Sequence, residues 1–181
     1  MFWKIEVKDK RGIFDAVGVG VKKDILDLGI DSVKKVSFVQ VYNIDGEISR
    51  QKIGKICAEL LADKISQDYR VLEKEEQVPF HGEFIIEVAY NPGVMDPVEQ
   101  SSLKGIRDLG IDGVTSVKTA KKYLLKGKLT DLQLKTISEK LLYNKLIQHI
   151  VNSSAIDYRP STSAEQVAYQ FNLVTVNLLG A

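Results

Sequence analysis

The first nine residues alternate: Trp3, Ile5 and Val7 are apolar, and Lys4, Glu6 and Lys8 between them are charged. A period of two puts the apolar set on one face of a half-buried strand over residues 2–9. The period then lengthens. Val17, Val21, Ile25 and Leu28 recur at helical spacing, and Gly29 supplies the left-handed residue that ends a helix. Residues 33–44 (VKKVSFVQVYNI) are rich in β-branched and aromatic side chains and predict a long strand, closed by a turn at Asp45-Gly46. Ser49 is placed to cap a second helix, whose apolar face is Ile53, Ile56, Cys57, Leu60 and Leu61. A short strand near Tyr69-Arg-Val-Leu72 completes a β-α-β-α-β order.

The pattern then returns 81 positions later. Phe84, Ile86 and Val88 repeat the face of Trp3, Ile5 and Val7. Asp96, matching Asp15, is expected to be an N-cap with Pro97 at the first helical position, a role asparagine would fill about as well. Val98, Ile106 and Leu109 form the helical stripe, and Gly110 stands at its end. Thr130 matches Ser49 and precedes Leu134, Ile137, Leu141 and Leu142. From residue 5 to residue 67 the copies align without a gap, with about a third of positions identical. The chain therefore reads as a tandem repeat, with residues 1–78 as the first copy and 79–152 as the second. Residues 73–82 (EKEEQVPFHG) form the linker, and 153–181 a polar connection with one more strand over 167–179. A copy of roughly 70 residues buries little surface alone. The expected fold class is α+β: two tandem β-α-β-α-β repeats packed as an internal pseudo-dimer, each with two helices on a small sheet. A chain that stops at Gly180-Ala181, straight after a strand, reads more readily as a domain cut from a longer polypeptide.

Composition narrows the function classes. The net charge is +1, so no global field draws the chain to nucleic acid or a membrane surface. No apolar run approaches the roughly 20 residues that span a bilayer, and Met-Phe-Trp-Lys-Ile-Glu is no signal peptide. Cys57 stands alone, which forbids an internal disulfide and fits a reducing cytoplasm.

Residues with chemistry to offer are poorly arranged. His81 and His149 are 68 positions apart and lack metal-ligand spacing. Cys57 lies on an apolar helix face, and its counterpart is Ser138, so a repeated nucleophile is excluded. Gly18-Val19-Gly20 falls inside a helix without the Gly-Lys-Ser/Thr ending of a phosphate loop, and reads as close helix packing. Asp15 and Asp96 are better explained as caps than as general acids. Glu6 and Glu87, on matched strands, are expected to face solvent or the boundary between copies. No catalytic, cofactor-binding or metal-ligating residue is expected. One stretch is less ordinary: residues 115–128 carry Lys118, Lys121, Lys122, Lys126 and Lys128 without an acid, whereas residues 34–47 keep Lys34 and Lys35 and gain Asp45 and Glu47. Lys118, Lys121, Lys122 and Tyr123 are the candidate partner-contact residues, docking an acidic partner or a phosphorylated ligand. The competing reading is a strand edge that lysines protect against aggregation.

Taken together, these residues resemble the PurS family, the small subunit of phosphoribosylformylglycinamidine synthase. The second copy carries Gly93-Val94-Met95-Asp96-Pro97, Leu109-Gly110, Lys122-Tyr123-Leu124 and Leu141-Leu142-Tyr143-Asn144-Lys145-Leu146-Ile147. The first carries Leu60-Leu61-Ala62-Asp63 and Asp68-Tyr69-Arg70-Val71, and departs from the family pattern at Ala16, where proline is expected. The resemblance covers residues 3–72 and 84–151. It implies a non-catalytic adaptor in purine synthesis that bridges a glutaminase and an ATP-dependent synthetase, so that ammonia reaches the amidine-forming step. Two fused copies also resemble the N-terminal region of the large single-chain synthetase. ATP, Mg and glutamine are then implied for the partners and none of them for this chain. A tandem of ACT-like domains binding a small molecule between copies is the rival reading, and an enzyme with an unrecognised site is a third.

Overall fold

The computed structural model describes residues 1–72 and 83–153. The linker assigned to 73–82, His81 within it, and the strand expected over 167–179 lie outside the described residues. Each copy has the β-α-β-α-β order read from the sequence. The first runs β1 (Phe2–Asp9), α1 (Ala16–Asp27), β2 (Val33–Gly46), α2 (Arg50–Ile56) and β3 (Gln67–Leu72). The second runs β4 (Glu83–Tyr90), α3 (Glu99–Asp108), β5 (Val114–Gly127), α4 (Asp131–Ile137) and β6 (Gln148–Ser153). Helices α2 and α4 each run on into a π-turn, Cys57–Leu61 and Ser138–Leu142, closed by Ala62 N–H donating to the Cys57 carbonyl and Tyr143 N–H to that of Ser138. Ser49 and Thr130 cap these helices as expected, and Thr130 forms a full capping box with Gln133. Gly29 and Gly110 adopt φ of 79° and 72° just past α1 and α3, where a side chain would be strained.

The six described strands form one antiparallel sheet in the order β3-β1-β2-β5-β4-β6. The copies meet along β2 and β5, whose ladder runs from Val33 opposite Gly127 to Gly46 opposite Val114. At its centre Gln40 stands opposite Lys121, and these are equivalent positions of the two copies, 81 apart. A pseudo-two-fold axis therefore passes between them.

All four helices lie on one face, and their packing crosses the boundary between copies. One core joins Ile5, Val7, Ile44, Ile53, Ile56 and Leu61 of the first copy to Ile106, Ile111 and Val117 of the second. The other joins Ile25, Ile30, Val33 and Val36 of the first to Ile86, Val88, Leu125, Leu134 and Ile137 of the second. The sequence stripe on α1 is corrected in part: Val17 and Leu28 are exposed, and the residues that seat the helix are Gly18 and Ile25. A Cβ on Gly18 would come within 2.5 Å of the Val36 carbonyl, so close approach to β2 requires glycine there, whereas Gly20 faces open space.

Asp15 and Asp96 do more than cap. Asp15 accepts from Gly18 N–H at 2.7 Å and, with its other oxygen, from Phe38 N–H on β2 at 2.8 Å. Asp96 is 1% exposed. Its side chain accepts from Val98 N–H at 2.9 Å and its carbonyl from Glu99 N–H at 3.2 Å, so it caps a turn over Pro97 and Val98. The regular helix α3 starts later than expected, at Glu99 rather than Pro97. The Asp96 carboxylate also accepts from Thr119 N–H at 2.6 Å and the Thr119 hydroxyl at 2.9 Å. Two amide donors face two different oxygens, so an asparagine would turn its NH2 toward one of them. Asp96→Asn is expected to cost about 1–2 kcal/mol in urea unfolding, because a buried donor loses its acceptor. An asparagine variant as stable as the parent would reduce Asp96 to an ordinary cap.

Candidate partner-contact site

β5 is an interior strand, and this decides the reading of its lysines. From Ala120 to Lys126 it is paired on both sides, by β2 and β4, so defence against strand pairing does not explain Lys121, Lys122 or Lys126. Strand alternation also divides the four residues singled out from the sequence. Lys118 and Lys122 project on the face away from the helices, and Lys121 and Tyr123 on the helix face. Lys118 is exposed and pairs with Glu99 of α3. Lys121 is exposed beside the pseudo-two-fold axis. Tyr123 is 5% exposed and packs against Phe38, ring centroids 5.7 Å apart; burial pushes its phenol above the ordinary range. Lys122 is largely buried between two carboxylates. Lys122 and Tyr123 thus belong to the interior, and the four do not form one contact surface.

What Lys122 joins is a charge cluster at the junction of the copies. Glu87 of β4 is 1% exposed and accepts from Lys4 of β1 at 2.7 and 2.9 Å. Lys122 pairs with Glu6 and lies 3.4 Å from Glu87, and Arg70 stands 4.0 Å from the other oxygen of Glu6. Two strands separate β1 from β4, so the Lys4–Glu87 bridge lies along the sheet, over Val41 and Ala120, which are 0% and 2% exposed. Glu6 and Glu87 thus occupy the boundary between copies, one of the two places expected for them. The cluster is not two-fold symmetric: Ile85, Val41 and Val151 stand where Lys4, Lys122 and Arg70 have their counterparts. That asymmetry is readable by laying one copy on the other, but the pairing across three strand spacings is not.

The remaining candidates are inert in their surroundings. Cys57 is buried, and burial pushes its thiol up to about 12, so the nucleophilic thiolate is disfavoured. His149 is exposed and shares a hydrogen bond of 3.1 Å with Asn91. Tyr42 is raised by burial and, secondly, by the charge of Asp96. Among the described residues no group of three or more His, Cys, Asp or Glu side chains could hold a metal ion. No helix among them is long and apolar enough to cross a membrane. A groove lined by Lys10, Ala58, Ala62, Lys64, Gln67, Asp68 and Tyr69 marks one tip of the first copy.

Comparison with known proteins bears on both halves of this arrangement. A family model described as PurS, phosphoribosylformylglycinamidine (FGAM) synthase, matches residues 3–75 and again residues 83–153. The phosphoribosylformylglycinamidine synthase subunit PurS of Archaeoglobus fulgidus is 32% identical over 80 residues, covering 41% of this chain and 100% of that protein.

Proposed function

The chain belongs to the PurS family of FGAM synthase, in two tandem copies, and from that premise we propose that it is a non-catalytic adaptor of this synthase in purine biosynthesis. It bridges the glutaminase and the ATP-dependent synthetase in the cytoplasm, so that ammonia released from glutamine is delivered for amidine formation. ATP, Mg and glutamine act on the partners in this reading. The observation that carries it is the joining of two PurS-type copies into one continuous sheet with shared cores. Such a body has little freedom between its halves, and it offers two ends at a set separation, which is what a bridge needs. Lys118 and Lys121 remain exposed candidates for the contact.

The test is glutamine-dependent amidine formation by synthetase and glutaminase, with and without this chain. Stimulation by the chain, which alone forms no product, is the expected result. Equal rates in both tubes would sink the adaptor reading.

A further inference from the structure

The central β2–β5 ladder carries opposite charge at its two ends. At one end Lys35 and Lys126 are direct cross-strand partners, flanked by Lys34 and Lys128, and all four are exposed. None of them has an ion pair among the described residues. Glu83 stands in register on the other side of Lys126, and Asp31 and Asp131 are the nearest acids in sequence. At the other end the pseudo-two-fold replaces these lysines by Thr115, Ser116, Asp45 and Glu47. Four positive charges at one end thus face two negative ones at the other, although the surrounding core is shared.

Folding does not call for this arrangement. Like charges directly opposite in a sheet are destabilising, and Lys126 lies between β2 and β4, where no open edge needs protection. The equivalent pair, Ser116 and Asp45, shows that the same backbone position accepts a neutral residue beside an acid. We propose that the basic end, Lys34, Lys35, Lys126 and Lys128, is a docking surface for an acidic protein surface. Because its two-fold mate is acidic, the duplicated scaffold holds that partner at one end only. A symmetric pair of copies would offer the same surface twice; the divergence makes this body directional. The inference rests on the adaptor reading and assigns it a contact.

The test uses the full chain with purified synthetase and glutaminase, and follows association at low and high salt. Lys35→Gln and Lys126→Gln together are expected to slow association at low salt by about tenfold, with the difference shrinking as salt rises. Their unfolding midpoint should not fall, since a like-charged cross-strand pair is neutralised and no ion pair among the described residues is lost. Asp45→Asn with Glu47→Gln, at the opposite end, should leave association within about twofold, as expected of sites outside the contact. A parent chain that binds while the lysine variant binds as fast would overturn the docking surface and leave the adaptor standing. A parent chain that binds neither partner would overturn both. Salt-sensitive self-association of the parent chain, abolished by the lysine changes, would overturn the proposal by assigning the patch to the acidic end of a second copy.

Discussion

Residues 1–78 expressed alone should yield no cooperatively folding monomer. Both cores are mixed. Without the second copy, Ile25, Ile30, Val33 and Val36 lose the β4, β5 and α4 side chains that cover them. Returning four such side chains to water costs roughly 1.5–3 kcal/mol each, or roughly 6–12 kcal/mol together. A small domain has only about 5–15 kcal/mol of net stability to lose. The β2 backbone also loses its ladder with β5 along fourteen residues, leaving a long unpaired edge. The fragment should therefore unfold, aggregate, or pair with a second copy of itself through β2. Sedimentation with denaturant unfolding distinguishes these outcomes. A monomer with a single sharp transition would show that the two cores are separable after all, and would remove the argument for one body.

Glu87→Ala should be the most damaging single change at the junction, at about 3 kcal/mol. Removing one partner of a buried pair leaves an uncompensated charge, which costs roughly 3–5 kcal/mol. The low end applies because the Lys4 side chain is 25% exposed and Lys122 keeps Glu6. Glu6→Ala is the internal control. Its side chain is 17% exposed, Lys122 still reaches Glu87, and Arg70 is half in solvent, so about 1 kcal/mol is expected. Exchanging Lys4 and Glu87 together for Met and Leu should recover most of the loss, because an apolar pair of similar volume replaces a buried ion pair at little net cost. Urea unfolding of the three variants reads all of this. Equal losses for Glu6→Ala and Glu87→Ala would mean that the burial of Glu87 does not set the energetics of the cluster.

The sequence by itself determined the elements and their duplication. Period-two and period-3.6 patterns, caps at Ser49 and Thr130, and glycines after α1 and α3 are local signals, each read within one or two turns of chain. The offset of 81 doubled every one of them and led to the PurS family through both copies. What only the tertiary structure decided depends on which strands become neighbours. Lys118, Lys121, Lys122 and Tyr123 are adjacent in sequence, yet alternation sends them to two faces, and the interior place of β5 buries Lys122 between carboxylates from β1 and β4. Asp96 was legible as a helix-start residue, but its second oxygen serves Thr119, 23 positions away, which no capping pattern announces. Lys35 and Lys126 are 91 positions apart, and become a like-charged pair only because β2 and β5 run antiparallel about Gln40 and Lys121. Hydrophobic periodicity constrains each strand against its own core face. It is indifferent to the order of strands, and charge pairing depends on that order.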